Sequence, residues 1–439
     1  MASDHKTNDL IIPAGGVSRR LVLGGAAGLS LASGWGVARA AATNTLRIGF
    51  ISPRTGPLAG FGQGDPFILS LVRKAFANGL TLNGTTYDVT IFDRDTQSDP
   101  SRASQLAKDL INSQQIDMML TTSTPEVVNP VSDACEAAGI PCLSTIVPWE
   151  SWYFGRGAKP GQPSPFKWTY HFCFGAEQFR KLYISTWNNV VPNNKRVAVL
   201  CPNDADGNAI RYHLVPELAK AGFDMVDPGG YQDGSTDYSA QIAMYKKAGC
   251  EVLCTFPIPP DFTTFWRQAA QQGLTRQMKV VTVAKTGLFP SQMEALGPLG
   301  YRINAGAYWH PAFPYSSALV GLSSAQLASA YEQKTGRQWE QQLGPSLALF
   351  DLMVQTLKSV PNPKDKAAVA KAMSTLQAST VLGEVDFKNG PVPNVATTIL
   401  IGAQWLKAKS GPYKLEYRTF EHVEDTKVPI QGALEPYIM

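Results

Sequence analysis

The chain has 439 residues, only 17% of them charged, 10% aromatic, and a formal charge of +4. Beyond the N-terminal segment no run of four or more basic residues occurs, so nucleic acid is not an expected partner. Roughly 400 residues remain there, enough for two domains with full cores.

Ser18-Arg19-Arg20-Leu21-Val22-Leu23 is a twin-arginine pattern. An apolar stretch rich in Gly, Ala and Ser follows to Val37, and Ala38-Arg39-Ala40 and Ala40-Ala41-Ala42 offer small-residue cleavage sites. Residues 1–42 therefore read as a Tat signal peptide, with the periplasm as destination. The alternative is an N-terminal membrane anchor, against which stand the shortness and the glycines of the apolar core. No cysteine precedes Cys135, so a lipid-modified N-terminal cysteine is excluded. Later in the chain no apolar stretch is long enough to span a membrane.

Leu46 to Ile51 is a short apolar run with β-branched residues, the pattern of a buried strand in a parallel sheet. Pro53, Gly56 and Pro57 break it. Gly60, Gly62 and Gly64 follow, and Pro66 suits the first turn of a helix over 65–78. A strand thus ends in a tight loop and a helix leaves, which in open α/β sheets is where ligands sit. A strand over 87–92 runs into Asp93-Arg94-Asp95-Thr96-Gln97, and Ser98-Asp99-Pro100 opens the helix over 101–112. The third strand, 116–120, leads into Thr121-Thr122-Ser123-Thr124-Pro125-Glu126 and a helix that Gly139 stops. A fourth strand covers 140–146. An aromatic insertion without periodicity, 149–167, and a fifth strand over 168–174 follow.

A second α/β unit comes next, with helices over 179–190, 209–221, 238–248 and 262–272. Its strands cover 197–201, 252–256, 280–283 and 303–309. Helices over 325–335, 347–359 and 367–376 precede a tail rich in strands and turns. Strands and helices that alternate in this way predict parallel sheets. Six cysteines in so long a chain do not suggest a disulfide scaffold. Cys135 and Cys142 flank a helix-to-strand turn and either pair or stay reduced and buried.

Several stretches, taken in order, resemble the leucine/isoleucine/valine-binding family of periplasmic solute-binding proteins, type I. They are Arg47-Ile48-Gly49 with Thr55-Gly56-Pro57 and Phe61-Gly62-Gln63; Asp93 with Thr96-Gln97-Ser98-Asp99-Pro100; Asn129-Pro130-Val131 with Ala137-Ala138-Gly139-Ile140-Pro141; and Val197-Ala198-Val199-Leu200 with Asp206-Gly207 and Thr236-Asp237-Tyr238-Ser239. The resemblance implies an α/β fold of two doubly wound parallel-sheet lobes joined by a three-segment hinge. Residues 43–174 and 310–385 are expected in one lobe, 175–309 and 386–439 in the other. It also implies a monomer without cofactor or catalysis. Such a protein captures a small-molecule solute between closing lobes and delivers it to an ABC transporter permease in the inner membrane.

The same resemblance places site residues. Phe61 follows the Thr-Gly-Pro turn and would cover the ligand. Thr122, Ser123 and Thr124 stand where relatives hold a ligand carboxylate, at a helix N-terminus that attracts anions; plain capping by Ser123 or Thr124 is the alternative. After the fourth strand, Pro148 cannot donate a backbone hydrogen bond. Trp149 and Trp152 would stack on a planar or apolar ligand, or else pack on their own loop. Lys285 falls where amino-acid-binding relatives carry the glutamate that meets the ligand ammonium. It either faces an anionic or acceptor group of an aromatic or aliphatic carboxylate, or is a solvated loop charge. Asp206, at the second-lobe contact, keeps a cationic group in play, so amino-acid-like and amide solutes remain candidates.

Two other classes compete. A Tat-exported oxidoreductase would use Gly60-x-Gly62-x-Gly64 as a dinucleotide loop, but Asp65 stands at the third glycine of that fingerprint. His171, His213 and His310 have no ligand spacing, and no catalytic motif of hydrolases or zinc proteases occurs. A ligand-sensing module would use the same fold, but no signalling segment accompanies the lobes.

Overall fold

A computed structural model describes residues 44–424 and 426–439, and the signal-peptide reading of residues 1–42 lies outside them. The chain runs β1 (Thr45–Ser52), α1 (Asp65–Ala75), β2 (Leu80–Leu82), β3 (Thr85–Asp95), α2 (Pro100–Ser113), β4 (Met118–Thr122), α3 (Pro125–Ala138), β5 (Cys142–Thr145), α4 (Trp149–Tyr153) and β6 (Thr169–Phe172). It continues with α5 (Ala176–Val190), β7 (Arg196–Leu200), α6 (Ala205–His213), α7 (Val215–Lys220), β8 (Asp224–Val226), α8 (Ser239–Ala248), β9 (Val252–Thr255), α9 (Pro259–Gln271), β10 (Val280–Val283), α10 (Pro290–Ala295) and β11 (Asn304–Ala307). The last part holds α11 (Ser324–Thr335), α12 (Leu343–Lys358), α13 (Lys366–Met373), β12 (Gln377–Thr380), β13 (Gly383–Asp386), β14 (Val395–Ala396), β15 (Ile401–Lys407) and β16 (Leu415–Glu421).

Two seven-stranded sheets result. The first has the order β2-β3-β1-β4-β5-β6-β14 and the second β8-β7-β9-β10-β11-β15-β16. Pairing is parallel from β3 through β14 and from β8 through β11. Within these two sheets β2, β15 and β16 pair antiparallel, and β12 and β13 form a separate antiparallel pair. This is the two-lobed α/β architecture expected, and its strands read as continuous apolar runs because helices cover both faces. In β4 all five residues are buried. The chain crosses between sheets after β6, after β11 and between β14 and β15.

Three features differ from the sequence reading. Val395 pairs with His171 and Ala396 with Phe172, so the chain stays with the first sheet beyond residue 385. The helix expected over 209–221 is two helices meeting at Leu214, because Pro216 has no N–H to continue the first one. Within the insertion, residues 149–153 form the short helix α4.

All six cysteines are free and buried, which leaves the reduced alternative for Cys135 and Cys142. Among the described residues no helix is long and apolar enough to cross a membrane.

Candidate functional site

The two sheets meet at the carboxyl ends of their strands, and each lobe contributes side chains there. After β1 the chain turns tightly under the direction of the segment after β3. Asp95 accepts hydrogen bonds from the backbone N–H of Arg54 (2.8 Å) and Gln97 (2.9 Å) and from Thr55 Oγ1 (2.7 Å). Ser98 Oγ donates to the Thr55 carbonyl (2.6 Å) and accepts from Leu58 N–H (3.0 Å). This is the physical reason the Thr-Gly-Pro turn and the Gln-Ser-Asp-Pro segment occur together. Gly62 must be glycine, since a Cβ would lie 2.1 Å from the Pro53 carbonyl oxygen. The turn delivers Phe61, whose ring meets Phe289 of the second lobe edge-on at 5.0 Å.

After β4, Thr124 is the N-cap of α3 but makes no capping hydrogen bond with its side chain. The hydroxyls of Thr122, Ser123 and Thr124 are all buried without a partner. The capping alternative is therefore not realised, and Ser123 and Thr124 line the cleft instead. Thr122 is buried but lies behind it.

Three of the positive-φ non-glycine residues stand at the same place. Ser123 has φ 124°, Ile146 has φ 78° and Lys285 has φ 46°, and each follows a strand end. Left-handed φ in a β-branched residue such as Ile146 is a genuine outlier. Such strain costs of order 1–3 kcal/mol per residue and clusters at ligand clamps.

In the second lobe, Asp204 and Asp206 follow β7 and Lys285 follows β10. Lys285 is not a solvated charge: it is 6% exposed. Its Nζ lies 2.9 Å from Asp204 Oδ2 and 3.1 Å from Asp206 Oδ2. Burial alone would discharge the ammonium, but Asp206, Asp204 and Glu126 outweigh it and hold the group protonated. Two carboxylates share this one cation, so the second is under-compensated. Burial, together with Glu126 and Asp204, pushes Asp206 up to about 6 against the pull of Lys285. Asp206 Oδ1 and Glu126 Oε1 are left buried without partners. The anionic ligand group expected to face Lys285 thus meets an ammonium that two aspartates already engage.

Phe61, Ser123, Thr124, Asp206 and Lys285 line one cavity between the lobes, with Ile146, Pro148, Phe174, Phe179, Phe256 and Tyr308 among its apolar walls. Its volume is about 40 Å³, where one water needs roughly 10–15 Å³. Admitting an organic solute therefore requires the lobes to part. The arrangement is an apolar box with a few polar groups at opposite walls, the usual make-up of a small-molecule site.

Neither predicted tryptophan lines this cavity. Trp152 is fully buried in a satellite core with Val128, Tyr153, Phe166 and Val395. It stacks on His171 at 5.1 Å, and Arg156 lies 4.6 Å over its ring and 4.1 Å over Phe166. Those aromatics pack on their own loop because apolar residues of α3 and of the insertion itself supply enough surface to bury them. Trp149 stands at the first crossing instead: its backbone N–H donates to Phe174 O at 3.1 Å. Its Nε1 would lie 2.2 Å from a Cβ on Gly175. Next to it, Glu150 Oε1 accepts from Ala176 N–H at 2.9 Å, at the start of α5. The insertion also touches the second lobe, where Phe154 stacks on His213 at 5.2 Å.

Of the other histidines, His171 bridges Ser144 Oγ (2.8 Å) and Val147 O (2.7 Å), and His310 contacts Tyr417 O at 2.7 Å. Burial lowers them to about 3 and about 4 respectively, so both are neutral packing groups. No group of three His, Cys, Asp or Glu side chains placed for a metal occurs among the described residues.

Sequence reasoning missed Asp204 as a partner of Lys285, and it missed the apolar walls. Position at a strand's carboxyl end was the available signal for all of them. The apolar walls were otherwise indistinguishable from core.

Comparison with known proteins bears on this geometry. A family model described as periplasmic binding protein matches residues 45–399. No curated protein sequence matches the chain. A solute-binding protein of an ABC transporter from Rhodopseudomonas palustris BisB5, solved with 3,4-dihydroxybenzoic acid, is similar at TM-score 0.69 and 17% identity, over 88% of this chain and 99% of that one. A leucine-binding protein from Thermotoga maritima gives 0.68 and 16%, over 85% and 98%. A branched-chain amino acid transporter substrate-binding protein from Streptococcus pneumoniae, solved with isoleucine, gives 0.65 and 16%, over 85% and 99%. At these identities the structures speak for the fold alone.

Proposed function

We propose that this chain, which belongs to the periplasmic binding protein family, is the solute-capturing component of an ABC importer. It takes up a small organic solute with an apolar body and a polar end, and hands it unchanged to a permease in the inner membrane. Export by the twin-arginine signal would place it in the periplasm. The structural relatives, solved with isoleucine and with hydroxylated benzoic acids, bracket the size of solute in view.

The observation that carries this reading is the cavity between the lobes, with unpartnered polar atoms on both walls. Ser123 and Thr124 hydroxyls on one side and Asp206 Oδ1 on the other are buried without hydrogen bonds. Each such orphan costs about 1–3 kcal/mol, which a bound solute would recover. That recovery is available only when both lobes touch the solute, so binding favours the closed form over the open one. Phe61 of the first lobe packs edge-on against Phe289 of the second beside this cavity.

The test is a thermal-shift screen of amino acids, amines, amides and aromatic or aliphatic acids. A ligand that binds only the native state raises the melting temperature by mass action, by an equivalent of about 2.7 kcal/mol at a hundred times its Kd. A saturable rise with one solute class supports the reading. A flat response across the panel, or conversion of a solute to product, overturns it.

A further inference from the structure

Phe154, at the end of α4, is an outer ring of an aromatic cluster that belongs to the first lobe. It packs on the satellite core of Val128, Trp152, Tyr153, Phe166 and Val395, beside Trp149 at 5.7 Å and Tyr153 at 5.4 Å. Polar contacts tie that core to its own lobe. Asn129 Nδ2 donates to Ser151 O at 3.2 Å, and Trp152 Nε1 donates to Ser132 Oγ at 3.2 Å. Arg156 Nε donates to Asp133 Oδ1 at 2.7 Å, and its Nη1 to Thr169 Oγ1 at 3.0 Å. The chain turns directly after Phe154, where Gly155 leaves no room for a side chain: a Cβ would lie 2.1 Å from Ser151 O. None of these contacts draws on the second lobe, so Phe154 is held in place by its own.

The remaining partner of Phe154 comes from across the cleft. His213 stacks on it at 5.2 Å, with 23° between the rings. His213 stands in the last turn of α6, the helix whose first turn carries Asp206 and whose Ile210 lines the cavity. Seven residues of helix, about 10 Å, separate Asp206 from His213. On the first lobe, α4 begins directly after Pro148, which also lines the cavity. The same two helices thus meet the cavity at one end and each other at the far end. Phe61 and Phe289 pack across the lobes as well, but Phe61 lines the cavity, whereas Phe154 and His213 do not.

From this, on the solute-binding reading above, we infer that the aromatic insertion is a latch: the stack of Phe154 on His213 favours the closed form without touching the solute. Both are positioning residues. Because its own lobe orders Phe154 beforehand, closure immobilises little further side-chain freedom. An aromatic pair contributes enough beyond its buried area to shift such an equilibrium by about 3- to 10-fold. Solute binding and latching occur in the same closed form, so each favours the other. The latch therefore adds to affinity and leaves the choice of solute to the cavity.

The test separates affinity from choice. Leucine, benzoate, benzylamine and isovaleramide, one for each class in the screen, are titrated calorimetrically into the purified chain. Phe154→Ala and His213→Ala should each weaken every compound that binds by a common factor of about 3- to 10-fold. The double variant should bind no more weakly than the weaker single one, since either change alone breaks the stack. His213→Phe keeps a ring at the contact and should stay within about twofold of the unaltered protein. His213→Ala is the safer variant, because His213 is half-buried and outside the satellite core, whereas Phe154→Ala also removes packing from it. Affinities unchanged in both single variants overturn the inference and leave the solute-binding reading standing. So do losses that multiply in the double variant, and so does a loss confined to one solute class, which would place these rings at the solute. If none of the four and no compound of the wider screen binds, the solute-binding reading itself fails and takes the inference with it.

Discussion

Glu150 offers a quantitative check on how the first crossing between the lobes is held. It sits in α4 with its side chain 7% exposed as a residue, and its Oε1 accepts from Ala176 N–H at the start of α5. Burial pushes its carboxyl from 4.5 to about 7, against the backbone hydrogen bonds that favour the ion. The folded-state value lies above the unfolded one, so folding favours the protonated form. The stabilisation is complete below pH 4.5 and is lost as the pH rises through 7. The shift corresponds to about 3 kcal/mol, of which about 2.5 kcal/mol falls between about pH 5 and 8. Glu150→Gln keeps the acceptor for Ala176 and removes the titration. Urea midpoints measured across that pH range for both proteins should therefore converge at the acid end and separate at the alkaline end, with the variant the more stable there. Asp65, Asp206 and Asp351, each raised to about 6, and Glu340, raised to about 8, tilt both curves alike and cancel in the difference. Parallel curves at all pH values would refute the assignment of a buried, proton-binding carboxylate to this crossing.

Further variants probe the cleft. Gly60 faces Phe289 of the other lobe, and a Cβ there would lie 2.8 Å from the ring. Gly60→Leu should leave the melting temperature of the empty protein within a few degrees, while overpacking of the closed form weakens solute binding about tenfold or more; unchanged affinity by titration would contradict the closed contact. Lys285→Met leaves Asp204 and Asp206 buried without their cation, and breaking a buried pair in this way costs about 3–5 kcal/mol, readable as a lower urea midpoint at pH 7. A Lys285 that served only the solute would leave that midpoint in place. Ser123→Gly relieves a backbone held at φ 124°. It should stabilise the empty protein by up to about 1 kcal/mol yet weaken binding, so equal binding by wild type and variant would remove Ser123 from the site.

Much of this architecture was written in local patterns. The apolar runs at Leu46–Ile51 and Val197–Cys201, each ending in turn-forming residues, are what buried parallel strands require. The family resemblance, not the local pattern, singled out Phe61, Ser123, Thr124, Asp206 and Lys285, and all five line the cavity at the strand ends. What the sequence withheld was pairing between distant side chains. Lys285 is 81 residues from Asp204, and no periodicity links a lysine after one strand to aspartates after another. The tryptophans of the insertion were ambiguous for a related reason. An aromatic cluster binds a ligand or itself, and Trp152 found His171, Phe166 and Arg156. The end of the first lobe was hidden because β14 has only two residues, Val395 and Ala396, and earns its place by pairing with β6.

The central claim is that two lobes close around a solute held between them. Small-angle scattering of the purified chain, titrated with the solute that gives the largest thermal shift, tests it most directly. The account predicts a smaller radius of gyration that saturates at the same solute concentration as the shift. A profile that stays the same while the melting temperature rises would contradict it.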